Sequence, residues 1–349
     1  MCARAHSHNL LRRDAMTRAD RSPLLVRIPN WLGDLVLALP VLGAAAEGPA
    51  VFVGPEAFRD LLEPRFPNAR YLATSRSARW APLDAIRALR PRSALLLTES
   101  LSSAILAWLA GVPERTGYAA EWRGFFLTRR VPRAGAPRST GRATEYRQLA
   151  AAAGIVPLSE IPTLHATPEE SDSARASLQR AGLEGARYLV LAPGASYGPA
   201  KQWEPKRFAQ AAAAIARRTG RAVVVVGAAE DREAAVAAAR EARGAGIRAI
   251  DLAGSTGLGE LMGIVAGADG VISNDSGVMH LAAAFRRPTV AVFGSTSPVW
   301  TSASAPWVAN LYAAYPCSPC YRRTCPIGYG CLRSIAPEEA SRALELLLS

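Results

Sequence analysis

The stretch Val271-Ile-Ser-Asn-Asp-Ser-Gly-Val-Met-His280, followed by an Ala-rich run, reads as a buried strand that turns sharply into a helix. Asn274, Asp275 and Ser276 at the junction carry side chains suited to capping the free amides of a helix start. Gly277 lets another group approach the backbone closely. A small-residue turn at the positive end of a helix is a ready phosphate site. A second stretch, Pro193-Gly-Ala-Ser-Tyr-Gly-Pro-Ala-Lys-Gln-Trp203, follows another strand. There Lys201 can neutralise a diphosphate oxygen and Ser196 can donate a hydrogen bond to one. Lysine is otherwise found only at Lys206, every other strong base being Arg, so a compact ammonium is singled out at this turn, unless both are solvated surface lysines.

Asp34 stands just after Gly33 at the end of the first strand-to-helix turn. A carboxylate there is placed as a general base or as a helix cap. Asp231 follows a strand and the turn Gly227-Ala-Ala-Glu230, where an acid accepts hydrogen bonds from a ribose; Glu230 and Glu233 are rivals, and capping is the plainer role. His280 lies one turn into its helix, within reach of phosphate or ribose, or else buried and satisfied. Trp203 reads as a packing residue.

These residues need a scaffold that collects strand ends. Apolar strands at 24–28, 50–53 and 93–97 alternate with helices at 35–46, 56–62 and 101–110. Residues 129–142 dissolve into Arg, Pro, Gly and Ser and read as a loop; a helix at 145–153 and a linker at 155–168 follow. The cycle restarts with strands at 188–192, 222–226, 249–252, 270–273 and 289–293. Helices at 205–218, 231–242, 258–266, 278–285 and 337–348 go with them. Alternation of this kind is βαβ chemistry with parallel sheets. The expectation is α/β: two doubly wound Rossmann-like domains joined near residue 165, with ligand in the cleft at the carboxyl ends of the strands. The domains are 23–165 and 166–349, preceded by a disordered N-terminal extension at 1–22, with Met16 an alternative start.

The chain of 349 residues carries a net charge of +12. Up to residue 160 there are 22 basic and 13 acidic residues, against 19 and 16 beyond, so the positive field belongs to the first half. Such a half suits an anionic partner, unless the excess is only a general use of Arg. The first 22 residues have no apolar core and are not a secretory signal; no run of 18 apolar residues predicts a spanning helix, and a cytoplasmic protein is expected. Four of five cysteines crowd into Cys317, Cys320, Cys325 and Cys331, a possible structural metal site or a set of free thiols. The chain lacks Gly-x-Gly-x-x-Gly after a strand, a Gly-x4-Gly-Lys-Ser/Thr loop and an Asp-x-Asp pair. If a sugar nucleotide binds, Lys201 and helix amides must do the work of a metal.

Together, Arg27-Ile-Pro-Asn-Trp-Leu-Gly-Asp34, the Pro193–Trp203 stretch and Ser273-Asn-Asp-Ser-Gly-Val-Met-His280 resemble the ADP-heptose:lipopolysaccharide heptosyltransferases, glycosyltransferase family 9. The Pro-Ala-Lys of the second stretch is most similar to the heptosyltransferase II branch, and Arg286-Arg-Pro-Thr-Val-Ala-Val-Phe-Gly-Ser-Thr-Ser-Pro298 extends the likeness. The resemblance implies a GT-B architecture and metal-independent, inverting transfer from ADP-heptose, with no cofactor. By matching motif, Asp34 corresponds to the base and Lys201 to the Lys on the diphosphate. Ser196 falls at a phosphate-contacting hydroxyl and Asp231 at the ribose acid. Asp275, Ser276, Gly277 and His280 surround the nucleotide. The implied partners are ADP-heptose, the lipopolysaccharide inner core and the anionic inner-membrane surface, with no nucleic acid; a monomer, cytoplasmic and peripheral on that membrane, is expected. A GT-B transferase of another nucleotide sugar, or a non-catalytic nucleotide-binding module, are the alternatives.

Overall fold

The computed structural model describes residues 22–349 except 121, 134 and 137. The lead-in expected at 1–22 lies outside these, save Ser22. The described chain forms two six-stranded, all-parallel sheets.

The first sheet is built from β1 (Leu24–Arg27), β2 (Ala50–Gly54), β3 (Ala69–Ala73), β4 (Ser93–Leu96), β5 (Glu114–Tyr118) and β6 (Arg129–Val131). Their spatial order is β3-β2-β1-β4-β5-β6. The second holds β7 (Tyr188–Ala192), β8 (Ala222–Val225), β9 (Ala249–Asp251), β10 (Gly270–Asn274), β11 (Thr289–Phe293) and β12 (Val308–Tyr312). It runs β12-β11-β10-β7-β8-β9. Renumbered from its own first strand, that is the same doubly wound 3-2-1-4-5-6 order, which reverses direction between β7 and β10. Ligands bind outside the carboxyl ends of the strands at such a reversal.

Central strands of the second sheet are mostly apolar because helices cover both faces: every residue of β7, β10 and β11 is buried, including the polar Ser273 and Asn274 that end β10. The helix Pro205–Thr219 begins with Pro at its first position and ends at Gly220 in the left-handed region, φ 67°. It lays Phe208, Ala212 and Ile215 on the sheet, and Trp203 is fully buried edge-on to Phe208 at 5.1 Å between ring centres. Trp203 is therefore a packing residue.

Residues 129–142, expected as loop, contain the edge strand β6 and the first residue of the helix Arg142–Ala152. β6 reads Arg-Arg-Val and is largely exposed; it pairs through its backbone with β5, so hydrophobic pattern gave no sign of it. β3, β5 and β12 are likewise mixed in polarity. The helix Pro168–Arg180 emerges where the linker was expected to end, started by a reciprocal cap between Thr167 and Glu170.

By packing, the chain divides into two compact units. One comprises the chain to Ile28 with Leu42–Pro132 and Leu149–Val156; the other comprises Pro29–Val41, Arg133–Gln148 and Pro157–Ser349. The start of the helix Leu32–Ala45, with Asp34, thus packs with the second unit. Among the described residues no helix is long and apolar enough to cross a membrane.

Candidate active site

At the end of β7 the chain turns through Gly194, where a Cβ would lie 2.0 Å from Asp231 Cγ. It then passes Gly198, at φ 142°, and enters a single turn at Pro199–Lys201. Lys201 Nζ is 2.6 Å from Asp275 Oδ2, and both side chains are buried. The same oxygen accepts hydrogen bonds from Thr296 Oγ1 at 2.6 Å and Thr301 Oγ1 at 3.0 Å. Three donors converge on this one carboxylate oxygen and fix the ammonium in place, which also stands 5.0 Å from the Tyr197 ring centre.

Asn274 closes the reversal of strand order. Its Nδ2 donates to Pro193 O at 2.7 Å and its Oδ1 accepts from Trp203 N at 3.0 Å, so one side chain ties both ends of the 193–203 turn to β10. Asn274 and Asp275 therefore do not cap the helix Gly277–Ala284. Ser276 occupies the N-cap position, but no side-chain cap is made; its hydroxyl meets Ser273 Oγ at 3.0 Å instead. The expected capping is replaced by an open helix start, with amides and the positive dipole end beside Lys201's partner. Such an end accepts a phosphate.

The first strand-to-helix turn packs onto this helix. A Cβ on Gly277 would lie 3.0 Å from Leu32 Cβ, and one on Gly33 would lie 2.5 Å from His280 Cδ2. Both glycines are needed for contact. Asp34 is thereby held next to the open helix start, with its side chain partly accessible. Arg142 Nε approaches Asp34 Oδ1 at 3.4 Å, while Arg142 Nη1 bonds Glu145 Oε2 at 2.9 Å. The guanidinium also lies 5.5 Å from the Trp300 ring centre. Arg142, Thr296 and Thr301 escaped the sequence reading because their partners in the site lie 108, 21 and 26 residues away along the chain. Asn274 was read as a cap, and its stapling role depends on Pro193 and Trp203. Only Arg142's place in a polar stretch just before a helix could have drawn notice.

His280 is buried, and its Nδ1 has no hydrogen-bond partner. Burial lowers its pKa to about 4; the nearby Asp275 and Asp34 carboxylates oppose this, and Lys201 adds to it. His280 is thus neutral at pH 7. Because the unfolded chain binds a proton near pH 6.5 and the folded chain only near pH 4, stability is lost as pH falls through that window. At its lower end the loss approaches about 3 kcal/mol. His280→Gln is expected to flatten the fall in thermal midpoint between pH 6.5 and 4; an unchanged slope would remove His280 as its source.

Asp231 is buried beneath the 193–195 turn and accepts the Ala228 amide at 3.0 Å. Burial raises its pKa, opposed by the amides of Ala228 and Ala195. Its carboxylate fills the space that Gly194 leaves empty, so it supports the Lys201 turn from below. Glu230 and Glu233 are exposed, as is Ser196 at the turn's tip.

The possible structural metal at Cys317, Cys320, Cys325 and Cys331 is not supported. Among the described residues no three His, Cys, Asp or Glu side chains are grouped to hold an ion. The four remain free thiols, Cys317 exposed and Cys331 buried. Cys325 Sγ accepts the Tyr329 amide at 3.3 Å, which lowers its pKa with help from the Ile327 amide; burial raises that of Cys331. The loop's work is mechanical. Arg323 O accepts from Ala200 N at 3.0 Å, Arg323 Nε donates to Tyr197 O at 2.7 Å, and Tyr321 N donates to Ser295 O at 2.7 Å. The Cys-rich segment thereby buttresses the turn that carries Lys201.

Two doubly wound sheets of one order, with a buried lysine and an open helix start at the strand-order reversal, define a glycosyltransferase fold of the GT-B type. Residues 83–329 match the model of glycosyltransferase family 9 (heptosyltransferase), and the chain belongs to that family. It is 30% identical over 286 residues to lipooligosaccharide heptosyltransferase 2 of Haemophilus influenzae, covering 79% of this chain and 75% of that protein. It is 29% identical over 303 residues to lipopolysaccharide heptosyltransferase 2 of Escherichia coli, covering 80% and 84%. The solved structure of E. coli ADP-heptose lps heptosyltransferase II superposes with TM-score 0.75 at 26% identity, over 93% of this chain and 98% of that one. The protein is an enzyme of the glycosyltransferase class, similar to heptosyltransferase II.

Proposed function

We propose that this enzyme transfers L-glycero-D-manno-heptose from ADP to heptose I of the lipopolysaccharide inner core, with inversion and without a metal. The observation that carries this reading is the ion pair of Lys201 and Asp275 beside an uncapped helix start, with Asp34 packed against the same helix. In this mechanism the ADP diphosphate rests on the amides that follow Ser276, and Lys201 neutralises it from the other side. Ser196 donates to a phosphate oxygen, and Asp231 and His280 line the nucleotide side. Asp34 removes the proton from the acceptor hydroxyl as that oxygen bonds to the anomeric carbon from the face opposite ADP. The anomeric C–O bond to phosphate breaks in the same step, and its electron pair leaves on ADP. The lysine and the helix amides meet the charge where it grows, in the role a divalent ion would otherwise fill.

In this reading residues 23–165 take the acceptor and 166–349 the nucleotide sugar. The protein works as a monomer, cytoplasmic and peripheral on the anionic inner-membrane surface. The test is purified protein with ADP-heptose and heptose-I-bearing core lipid, in chelator, read by mass. One added heptose and one released ADP are expected. ADP binding with no donor consumed would point to a non-catalytic module, and product formed only from another nucleotide sugar would reassign the donor.

Arg142 holds Asp34 in this scheme. Arg142→Ala is expected to lower kcat about tenfold while the KM for donor stays near that of the parent. An equal loss in both would mean that Arg142 serves donor binding or the fold instead.

A further inference from the structure

The first compact unit carries a face that its own core does not explain. Trp122 is 82% exposed and Phe125 77%, and both stand on the short turn that follows β5. Trp108, at the end of the helix Leu101–Leu109, adds a half-exposed indole 5.5 Å from Phe126 between ring centres. Large aromatic side chains left in water at neighbouring positions mark a binding surface, not packing. Trp122 also sits at φ 63°, a region that disfavours a bulky side chain. The backbone there holds the indole outward at some cost.

The cations around this face are fixed by the same turn. Arg130 Nε donates to Gly124 O at 2.9 Å, and Arg115 Nε donates to Phe126 O. Both bond backbone carbonyls in these contacts and so keep their charge for a partner. Trp122, Phe125 and Arg130 line one open recess. Exposed Trp and Phe framed by arginine is the composition of a protein surface that rests at the boundary of an anionic bilayer, where the rings enter the headgroup layer and the guanidinium groups meet phosphates. A second copy of the chain would bring a like basic face against this one, so charge argues against self-association.

We propose that the Trp108–Trp122–Phe125 face is the surface by which this enzyme docks on an anionic lipid bilayer. The proposal deepens the peripheral placement given above and rests on it, but its test does not require heptose transfer. Wild-type protein and the Trp122→Ser/Phe125→Ser double variant are sedimented with vesicles of phosphatidylcholine, with and without phosphatidylglycerol. Activity is measured in parallel on a soluble, deacylated acceptor. Wild-type protein is expected to bind the phosphatidylglycerol vesicles, less so in high salt, and the double variant to bind at least about tenfold more weakly. Arg130→Glu is expected to weaken binding in the same direction, and soluble-acceptor activity to stay unchanged in both. Equal vesicle binding by wild type and double variant overturns the proposal. So does loss of soluble-acceptor activity, which would assign the face to the acceptor sugar, or a wild-type dimer that the variant abolishes. Vesicle binding without transfer by the wild type would leave the docking face standing and sink the proposed reaction.

Discussion

Asp34→Asn is expected to cut turnover by about 10² or more while ADP binds nearly as well as before. The amide keeps the size and shape of the carboxylate, so the contact of Gly33 with His280 and of Leu32 with Gly277 is preserved. What is lost is the ability to accept a proton. The hydrogen-bond geometry with Arg142 also weakens, since a neutral amide oxygen attracts a guanidinium less than a carboxylate does. If Asp34 were only a helix cap, Asn would replace it with little cost, because the two residues cap about equally well. A near-parental rate in the Asn variant would therefore return Asp34 to a structural role.

Lys201→Ala is expected to lower kcat/KM by about 10²–10³ and to weaken ADP binding with it. It also leaves Asp275 buried with only Thr296 and Thr301 as donors to that oxygen, a loss of the order of 3–5 kcal/mol in stability. The two effects can be separated. Lys201→Ala/Asp275→Asn removes the stranded charge and is expected to recover most of the thermal stability without recovering transfer. Recovery of both would show that Lys201 matters only through the fold. Lys201→Arg is not a neutral exchange, because a planar fork cannot repeat the single short contact to Asp275 Oδ2 in so little space.

The second sheet was legible because β7, β10 and β11 are short, mostly apolar segments between recognisable turns. Its partner was less so. β5 and β6 read Glu-Arg-Thr-Gly-Tyr and Arg-Arg-Val; the exposed β6 is held mainly by backbone pairing, and the polar composition of both leaves little trace in hydrophobic pattern. In the site, the types Asp34, Lys201 and Asp275 could be picked out from turn chemistry alone. Their wiring could not. That Asp275 is the anchor of Lys201, 74 residues away, is a property of strand order, as is the diversion of Asn274 from capping to stapling the 193–203 turn. The clustering of the cysteines left a structural metal open beside free thiols, whereas the backbone between the thiols, not the sulfur, does the work there.

That backbone has a consequence for how the protein is made. Tyr197 and Arg323 are joined across 126 residues of sequence. At a synthesis rate of about 5–20 residues per second, the ribosome adds the second member roughly 6–25 s after the first. During that interval β7 through β11 can already have paired, yet the strut under the lysine turn has not emerged. A chain cut short before Arg323 would therefore carry every charged group of the site and still lack the rigidity to aim them, so competence arrives only once Arg323 has been added and folded against the lysine turn.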